Sequence, residues 1–202
     1  YARFPEWYFC PKCRRFKPIR EWVEEHRKRK ERNDKDPDMV NKLSCTDCGK
    51  PLVVSRIVVV CEKGHIDDFP WVEWVHAHSA KGKEHVCNRP RLKLKTASSA
   101  SEGLESISVE CESCGAWASL SGAFGKDVFK KLNEKWEGRY DFTCHGRHPW
   151  KHASEDCGVF PRTMQRGSSS VYFPVTVSSL VIPPYSSLLT RKVEASSDFE
   201  YC

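Results

Sequence analysis

Apolar positions in this chain come in short patches rather than long runs, and their spacing separates strands from helices. Residues 52–60 are nearly unbroken Val and Ile around Ser55 and Arg56, the pattern of one strand buried on both faces. Residues 91–95 and 107–111 alternate with period two and predict two more strands, joined by a Ser-rich loop over 96–103. A further strand is expected over 171–182, where Val171, Phe173, Val175, Val177 and Val181 share a face until Pro183 and Pro184 stop it. Helical spacing runs through Val128, Phe129, Leu132 and Trp136, predicting a helix over 127–136. A second helix is expected over 69–78, with Asp68 as its cap, Pro70 in its first turn and Trp71, Val72, Trp74 and Val75 facing inward. An earlier helix over 20–32 carries only a thin apolar stripe of Trp22, Val23 and His26, ends in a basic run, and passes into a polar linker around Asn33, Asp34, Asp36 and Pro37.

These patches are sparse. Leu, Ile, Val and Phe make up 43 of 202 residues, close to the level of roughly 20% below which chains often fail to build a core. The same chain holds 11 Cys, 8 His and 7 Trp, which is not the composition of a disordered segment. Something besides apolar burial is expected to hold it together. No apolar run approaches the roughly 18 residues of a membrane span, so a soluble, cytoplasmic protein without a membrane partner is expected. The opening Tyr1 suggests an internal portion of something longer.

The cysteines supply the missing element. Three pairs are Cys-x-x-Cys: Cys10 with Cys13, Cys45 with Cys48, and Cys111 with Cys114. Two intervening residues let both sulfurs point at one ion from a tight turn, and a tetrahedral zinc then needs two more ligands. Gly49 and Gly115 follow the second Cys of their pairs, where such a turn wants a left-handed backbone. Cys10, Cys13, Cys45 and Cys48 form a ribbon-like four-Cys set with a long insert, tolerable because closure entropy grows slowly with length. For Cys111 and Cys114 the expected partners lie downstream, at Cys144 and Cys157. Four thiolates leave no open coordination position, so both sites read as structural. The competing reading, disulfides in a secreted domain, is disfavoured in a chain with no signal segment. Cys61 and His65 could seed a third site with Cys87 and one of His76, His78 or His85. The alternative there is a core thiol ending a Val-rich strand beside a turn histidine. The expectation is thus two zinc ions, or three if Cys61, His65 and Cys87 also bind.

The fold class expected is α+β, made of small zinc-stapled domains. Residues 1–50 form a zinc-ribbon-like unit with an inserted basic helix, and 51–202 a mixed sheet with helices and the second four-Cys site.

Several chemistries are excluded by spacing. Gly125-Lys126 lacks the Gly at 120 and the hydroxyl at 127 of a phosphate loop. There is no His-Glu-x-x-His, and no His-x-Glu precedes a Pro-Cys-x-x-Cys, as a zinc deaminase needs. The sharpest enzymatic alternative is a metal-dependent nuclease centred on His65, Asp67 and Asp68, with the imidazole as general base; one of the two Asp residues is better used to cap the following helix. The binding alternative rests on charge, formally +6 overall. Residues 1–35 carry 12 basic against 6 acidic side chains, and Arg27, Lys28, Arg29 and Lys30 cluster at the end of the basic helix. Arg147 and Lys151 lie in a second stretch, interleaved with Tyr140, Phe142 and Trp150, a mixture suited to phosphates and unstacked bases. Arg166 follows Gln165 and precedes Gly167-Ser168-Ser169-Ser170, and could pair with a phosphate or a carboxylate. For each of these the plain alternative is a solvated charge or a structural ion pair.

Taken in order, four stretches resemble the DrmB family, a helicase-associated component of the DISARM anti-phage defence system. They are Arg3-Phe-Pro-Glu-Trp-Tyr-Phe-Cys-Pro-Lys-Cys13; Cys61-Glu-Lys-Gly-His-Ile-Asp-Asp-Phe-Pro-Trp71 with Trp74, Val75 and His76; Cys111-Glu-Ser-Cys-Gly-Ala116 with Leu120-Ser-Gly-Ala-Phe-Gly125; and Gln165-Arg-Gly-Ser-Ser-Ser-Val-Tyr-Phe-Pro174 with Ile182-Pro-Pro184. The resemblance implies a zinc-containing protein without a motor of its own that pairs with a DrmA-like helicase and engages DNA. It carries metal ligation onto Cys10, Cys13, Cys45, Cys48, Cys111, Cys114, Cys144 and Cys157, and it carries over no catalytic residue. It also implies a longer parent protein, of which this chain would be the middle part.

Overall fold

The computed structural model describes residues 3–32, 43–79, 87–96, 106–169, 171 and 192. The chain divides into two compact units, Tyr1–Tyr172 and Phe173–Cys202, and the second lies outside the described residues apart from position 192. The strand expected over 171–182 and most of the loop over 96–103 therefore lie outside the described residues.

The first unit is α+β. Its elements run β1 (Trp7–Phe9), β2 (Arg15–Pro18), α1 (Ile19–Arg32), β3 (Val53–Val54), β4 (Ile57–Val60), β5 (Ile66–Asp68), α2 (Trp71–His78), β6 (Leu92–Thr96), β7 (Ile107–Cys111), β8 (Trp117–Ser119), α3 (Val128–Lys135) and β9 (Arg162–Gln165). They build two antiparallel sheets, one ordered β3-β1-β2-β6-β7-β8 and the other β5-β4-β9. The larger sheet combines strands from both sides of residue 50, so the amino-terminal stretch shares a sheet with later strands: Phe16 of β2 pairs with Leu92 of β6.

Two local expectations are corrected. Residues 52–60 are not one strand but two, in different sheets. Ser55 breaks the run: its hydroxyl accepts from Ile57 N–H at 3.2 Å while its own N–H donates to Trp7 O at 2.8 Å. A short side chain that bonds its neighbouring backbone competes with the ladder in this way. Asp68 does not cap α2, which begins at Trp71 after Pro70 with no side-chain cap. Its carboxylate instead accepts the N–H of Glu6 at 2.9 Å and sits between the start of β1 and the end of β5. Burial, reinforced by the charges of Asp67 and Glu6, pushes this carboxyl up to about 6 despite those backbone donors.

The core lies where both sheets meet α2 and α3. Phe16, Leu92, Leu94, Val109 and Ala118 from the larger sheet join Ile57 and Val59 from the smaller one. Between them sit Phe69, Trp71, Trp74, Phe129 and Phe142, ring against ring; Phe69 and Trp71 centroids are 4.6 Å apart. Each such ring buries roughly 150–250 Å², so a few aromatics supply what the low aliphatic count withholds. Trp74 Nε1 donates to Ser119 O at 3.1 Å and Trp136 Nε1 to Ala77 O at 3.0 Å, while Trp71 Nε1 is buried without a hydrogen-bond partner. A small separate cluster forms around Trp22 of α1, Cys10 and Cys45.

Candidate metal centres

Three Cys-x-x-Cys turns fold by one rule. The first Cys N–H donates five residues ahead and its carbonyl accepts from four ahead: Cys10 with Arg15 and Arg14, Cys45 with Lys50 and Gly49, Cys111 with Ala116 and Gly115. The residue after the second Cys takes a left-handed backbone, at φ +66° for Gly49 and +73° for Gly115. In the first turn Arg14 occupies that position at φ +66°, a conformation that favours glycine. Cys61 to His65 makes a fourth turn of the same design, one residue shorter. Cys61 N–H donates to His65 O at 3.1 Å, Gly64 N–H donates to Cys61 O at 3.0 Å, and Gly64 lies at φ +82°.

These turns converge into three sets of four donors, the donor atoms of each set lying within 4.8 Å of one another: Cys10, Cys13, Cys45 and Cys48; Cys61, His65, Cys144 and Cys157; His76, Cys87, Cys111 and Cys114. The first set is the one expected. The expected second set is not brought together: Cys111 and Cys114 meet His76 of α2 and Cys87, while Cys144 and Cys157 meet Cys61 and His65. Cys87 likewise stands apart from Cys61 and His65, the residues with which it was grouped.

The donor spacing fits a tetrahedral ion. Zinc–sulfur bonds of about 2.3 Å imply a sulfur–sulfur edge of about 3.8 Å, and a sulfur–nitrogen edge of about 3.5 Å. Cys13 and Cys45 sulfurs are 3.6 Å apart, Cys61 and Cys157 3.9 Å, and Cys87 and Cys111 4.0 Å. Cys61 Sγ stands 3.3 Å from His65 Nδ1, and Cys114 Sγ 3.5 Å from His76 Nε2. All ten described cysteines are free thiols, and a disulfide would need its sulfurs at about 2.05 Å.

Electrostatics point the same way. In the first set, burial raises the Cys45 thiol, but the Arg15 guanidinium and the turn N–H groups of Cys48 and Asp47 more than offset this and lower it. Cys48 is pushed up, by burial and then by its three neighbouring sulfurs. The other sets repeat the split. Cys157 is lowered by backbone and His65 hydrogen bonds that outweigh burial, and Cys111 by the N–H groups of its turn. Cys144 and Cys87 are raised by burial and by adjacent sulfurs. Crowded thiolates repel one another, and a divalent cation held between them would remove that repulsion.

His65, Asp67 and Asp68, the residues of the nuclease alternative, line one small cavity but share no metal-capable group among the described residues. His65 is buried among the sulfurs. Asp67 accepts from Arg147 at 3.1 Å, and Asp68 is taken up by the backbone of Glu6. Neither aspartate joins a metal-capable group among the described residues. Of the basic candidates, Arg27, Lys28 and Arg29 are exposed on α1, with Lys28 paired to Glu24 at 2.9 Å; the Lys30 side chain lies outside the described set. Arg147 is held by Asp67 and Glu6, and Lys151 lies 3.3 Å from Glu155. Arg166 is exposed after β9. Sequence reasoning missed His76 as a partner of Cys111 and Cys114. His76 was offered as a candidate ligand beside Cys87, and the structure does bring those two together, but with Cys111 and Cys114 rather than with Cys61 and His65.

Three four-donor sets of thiol and imidazole groups, built on antiparallel sheets and tight turns, define a metal-capable α+β module. The chain belongs to the family of a domain of unknown function, DUF8724, which matches residues 1–173. It is also similar to the DISARM protein DrmB of Bacillus paralicheniformis, 35% identical over 144 residues covering 71% of this chain and 23% of that relative. The chain therefore spans under a quarter of the length of that relative. Among the described residues no helix is long and apolar enough to cross a membrane.

Proposed function

We propose that this chain is a non-catalytic, zinc-stapled segment of a cytoplasmic DISARM-type defence protein that helps to hold DNA and a DrmA-like helicase partner. The similarity to a DISARM protein carries the defence assignment. The closed four-donor sets carry the structural role, since a metal held by four protein ligands has no open position for a substrate. Thiolate and imidazole donors in tetrahedral spacing suit zinc. Its binding energy would stand in for the thin aliphatic core, fixing turns and strands that have little else to anchor them.

The DNA role rests on the exposed face of α1. Arg27, Lys28 and Arg29 project from a helix that Trp22 roots in the small core around Cys10 and Cys45. Such a face neutralises phosphates without reading bases, so its affinity falls steeply with salt. The test is binding of labelled single- and double-stranded DNA between ~50 and 200 mM salt, with Arg27, Lys28 and Arg29 all replaced by Glu as the comparison. A salt-dependent affinity that the triple variant abolishes is the expected result. Absence of binding at ~50 mM salt would sink the DNA role. Co-purification with a DrmA-like helicase tests the partner separately.

A further inference from the structure

We propose that the chain binds three zinc ions in nested rather than sequential order, and that the two Cys3His centres use opposite imidazole nitrogens, with Glu155 orienting His65. The inference rests on the zinc reading above and specifies its atoms.

The nesting follows from the ligand numbers. His76, Cys87, Cys111 and Cys114 lie wholly between His65 and Cys144, so one centre closes inside the loop that the other closes. The outer centre is assembled by pairing across that loop. Cys144 N–H donates to Val159 O at 2.7 Å and Glu155 N–H donates to Gly146 O at 2.9 Å, placing Cys144 beside Cys157 and both against the Cys61 turn. The inner centre is assembled by helix α2, which turns His76 toward the Cys111 knuckle between β7 and β8.

The nitrogen assignment follows from what the other nitrogen does. His76 Nδ1 lies 2.6 Å from Val72 O, one helical turn back, and a carbonyl can only accept. Nδ1 therefore carries the proton, and the Nε2 lone pair is left facing Cys114 Sγ. His65 is reversed. Its Nδ1 faces Cys61 Sγ, and its Nε2 lies 3.4 Å from the Glu155 carboxylate. Nε2 donates to that carboxylate and Nδ1 is free for the metal, the carboxylate–histidine–metal arrangement that fixes a ligand's tautomer and raises its basicity. Glu155 also stands 3.7 Å from His148.

The experiment uses the full 202-residue chain purified without chelator, weighed intact under non-denaturing conditions and examined by histidine 15N NMR. Three zinc ions are expected, with His65 protonated at Nε2 and His76 at Nδ1. Two ions, or either ring showing the other tautomer, would overturn the inference while leaving the zinc reading intact. No zinc at all would overturn both. Double substitution separates the partitions again: Cys61→Ser with Cys144→Ser should cost one ion, and Cys111→Ser with Cys144→Ser two. The reverse counts would restore the sequential pairing. Glu155→Gln should weaken one ion about 10- to 100-fold and leave the other two unchanged. Equal affinity in that variant would remove Glu155 from its orienting role.

Discussion

Gly146 lies directly against the backbone of Glu155: a Cβ at residue 146 would stand 1.6 Å from the Glu155 carbonyl oxygen. Gly146 itself sits at φ +64°, and its N–H points at Cys144 Sγ at 3.4 Å. One hydrogen atom in place of a methyl group is what lets the Cys144 and Cys157 segments close on each other.

Gly146→Ala should therefore open the centre of Cys61, His65, Cys144 and Cys157 while sparing the other two. The obstacle is backbone rather than a side chain that could swing away, and the left-handed φ adds about 1–2 kcal/mol of its own. Intact mass measured under non-denaturing conditions should show one zinc fewer than the parent. An unchanged count would mean that the loop can re-route around the methyl group.

Arg15 serves the first centre in a different way. Four thiolates around a divalent ion leave a net charge of −2, and Arg15 Nη2 lies 3.5 Å from Cys45 Sγ while its other contacts reach Glu25 and Asp47. Arg15→Met removes the charge together with the guanidinium that lies 5.0 Å from the centre of the Trp22 ring. It should weaken that ion about 10-fold in competition with a chromogenic chelator, in line with other outer partners of metal ligands.

Metal removal should cost the fold as well as the ions. Structural zinc sites contribute apparent binding energies of about 10–16 kcal/mol, which exceeds the stability of an ordinary domain. Excess chelator should collapse the near-ultraviolet circular dichroism of the buried Trp22, Trp71 and Trp74 and shift tryptophan emission to the red. Readdition of zinc under reducing conditions should restore both signals.

Asp68 gives a pH signature with a definite sign. Its folded carboxyl titrates near 6, above the ordinary 3.8, because burial disfavours its charge. Its contribution to stability is therefore fully present below the unfolded value and is lost as pH rises through about 6. Asp68→Asn does not titrate. The unfolding free energy of the variant minus that of the parent should rise from pH 4 to 6 and level off above, a swing of up to about 3 kcal/mol. Comparing the two proteins cancels the acid release of metal that both undergo. A flat difference would place the Asp68 carboxyl at an ordinary value.

The local pieces of this protein were legible in its sequence, because each is decided by neighbours. Period-two alternation found β6 and β7, helical spacing found α1 and α3, and Cys-x-x-Cys with a following glycine found the turns at Cys45 and Cys111 together with their φ > 0 positions. The set of Cys10, Cys13, Cys45 and Cys48 was also legible, since two turns that follow one another along the chain bring their four sulfurs together. Tertiary structure alone decided the rest. Which turn meets which depends on how β4 pairs with β5 and β9, and on α2 lying against β7 and β8; none of this is written at fixed spacing. Downstream pairing sends Cys111 to Cys144, although Cys87 is nearer along the chain, and the sheets place it beside His76 and Cys87. The same holds for Asp68, whose composition suits a helix cap, but whose carboxylate is claimed by the backbone of Glu6 across the fold. Donor type and turn shape are local properties of the chain, while the company a donor keeps is a property of packing.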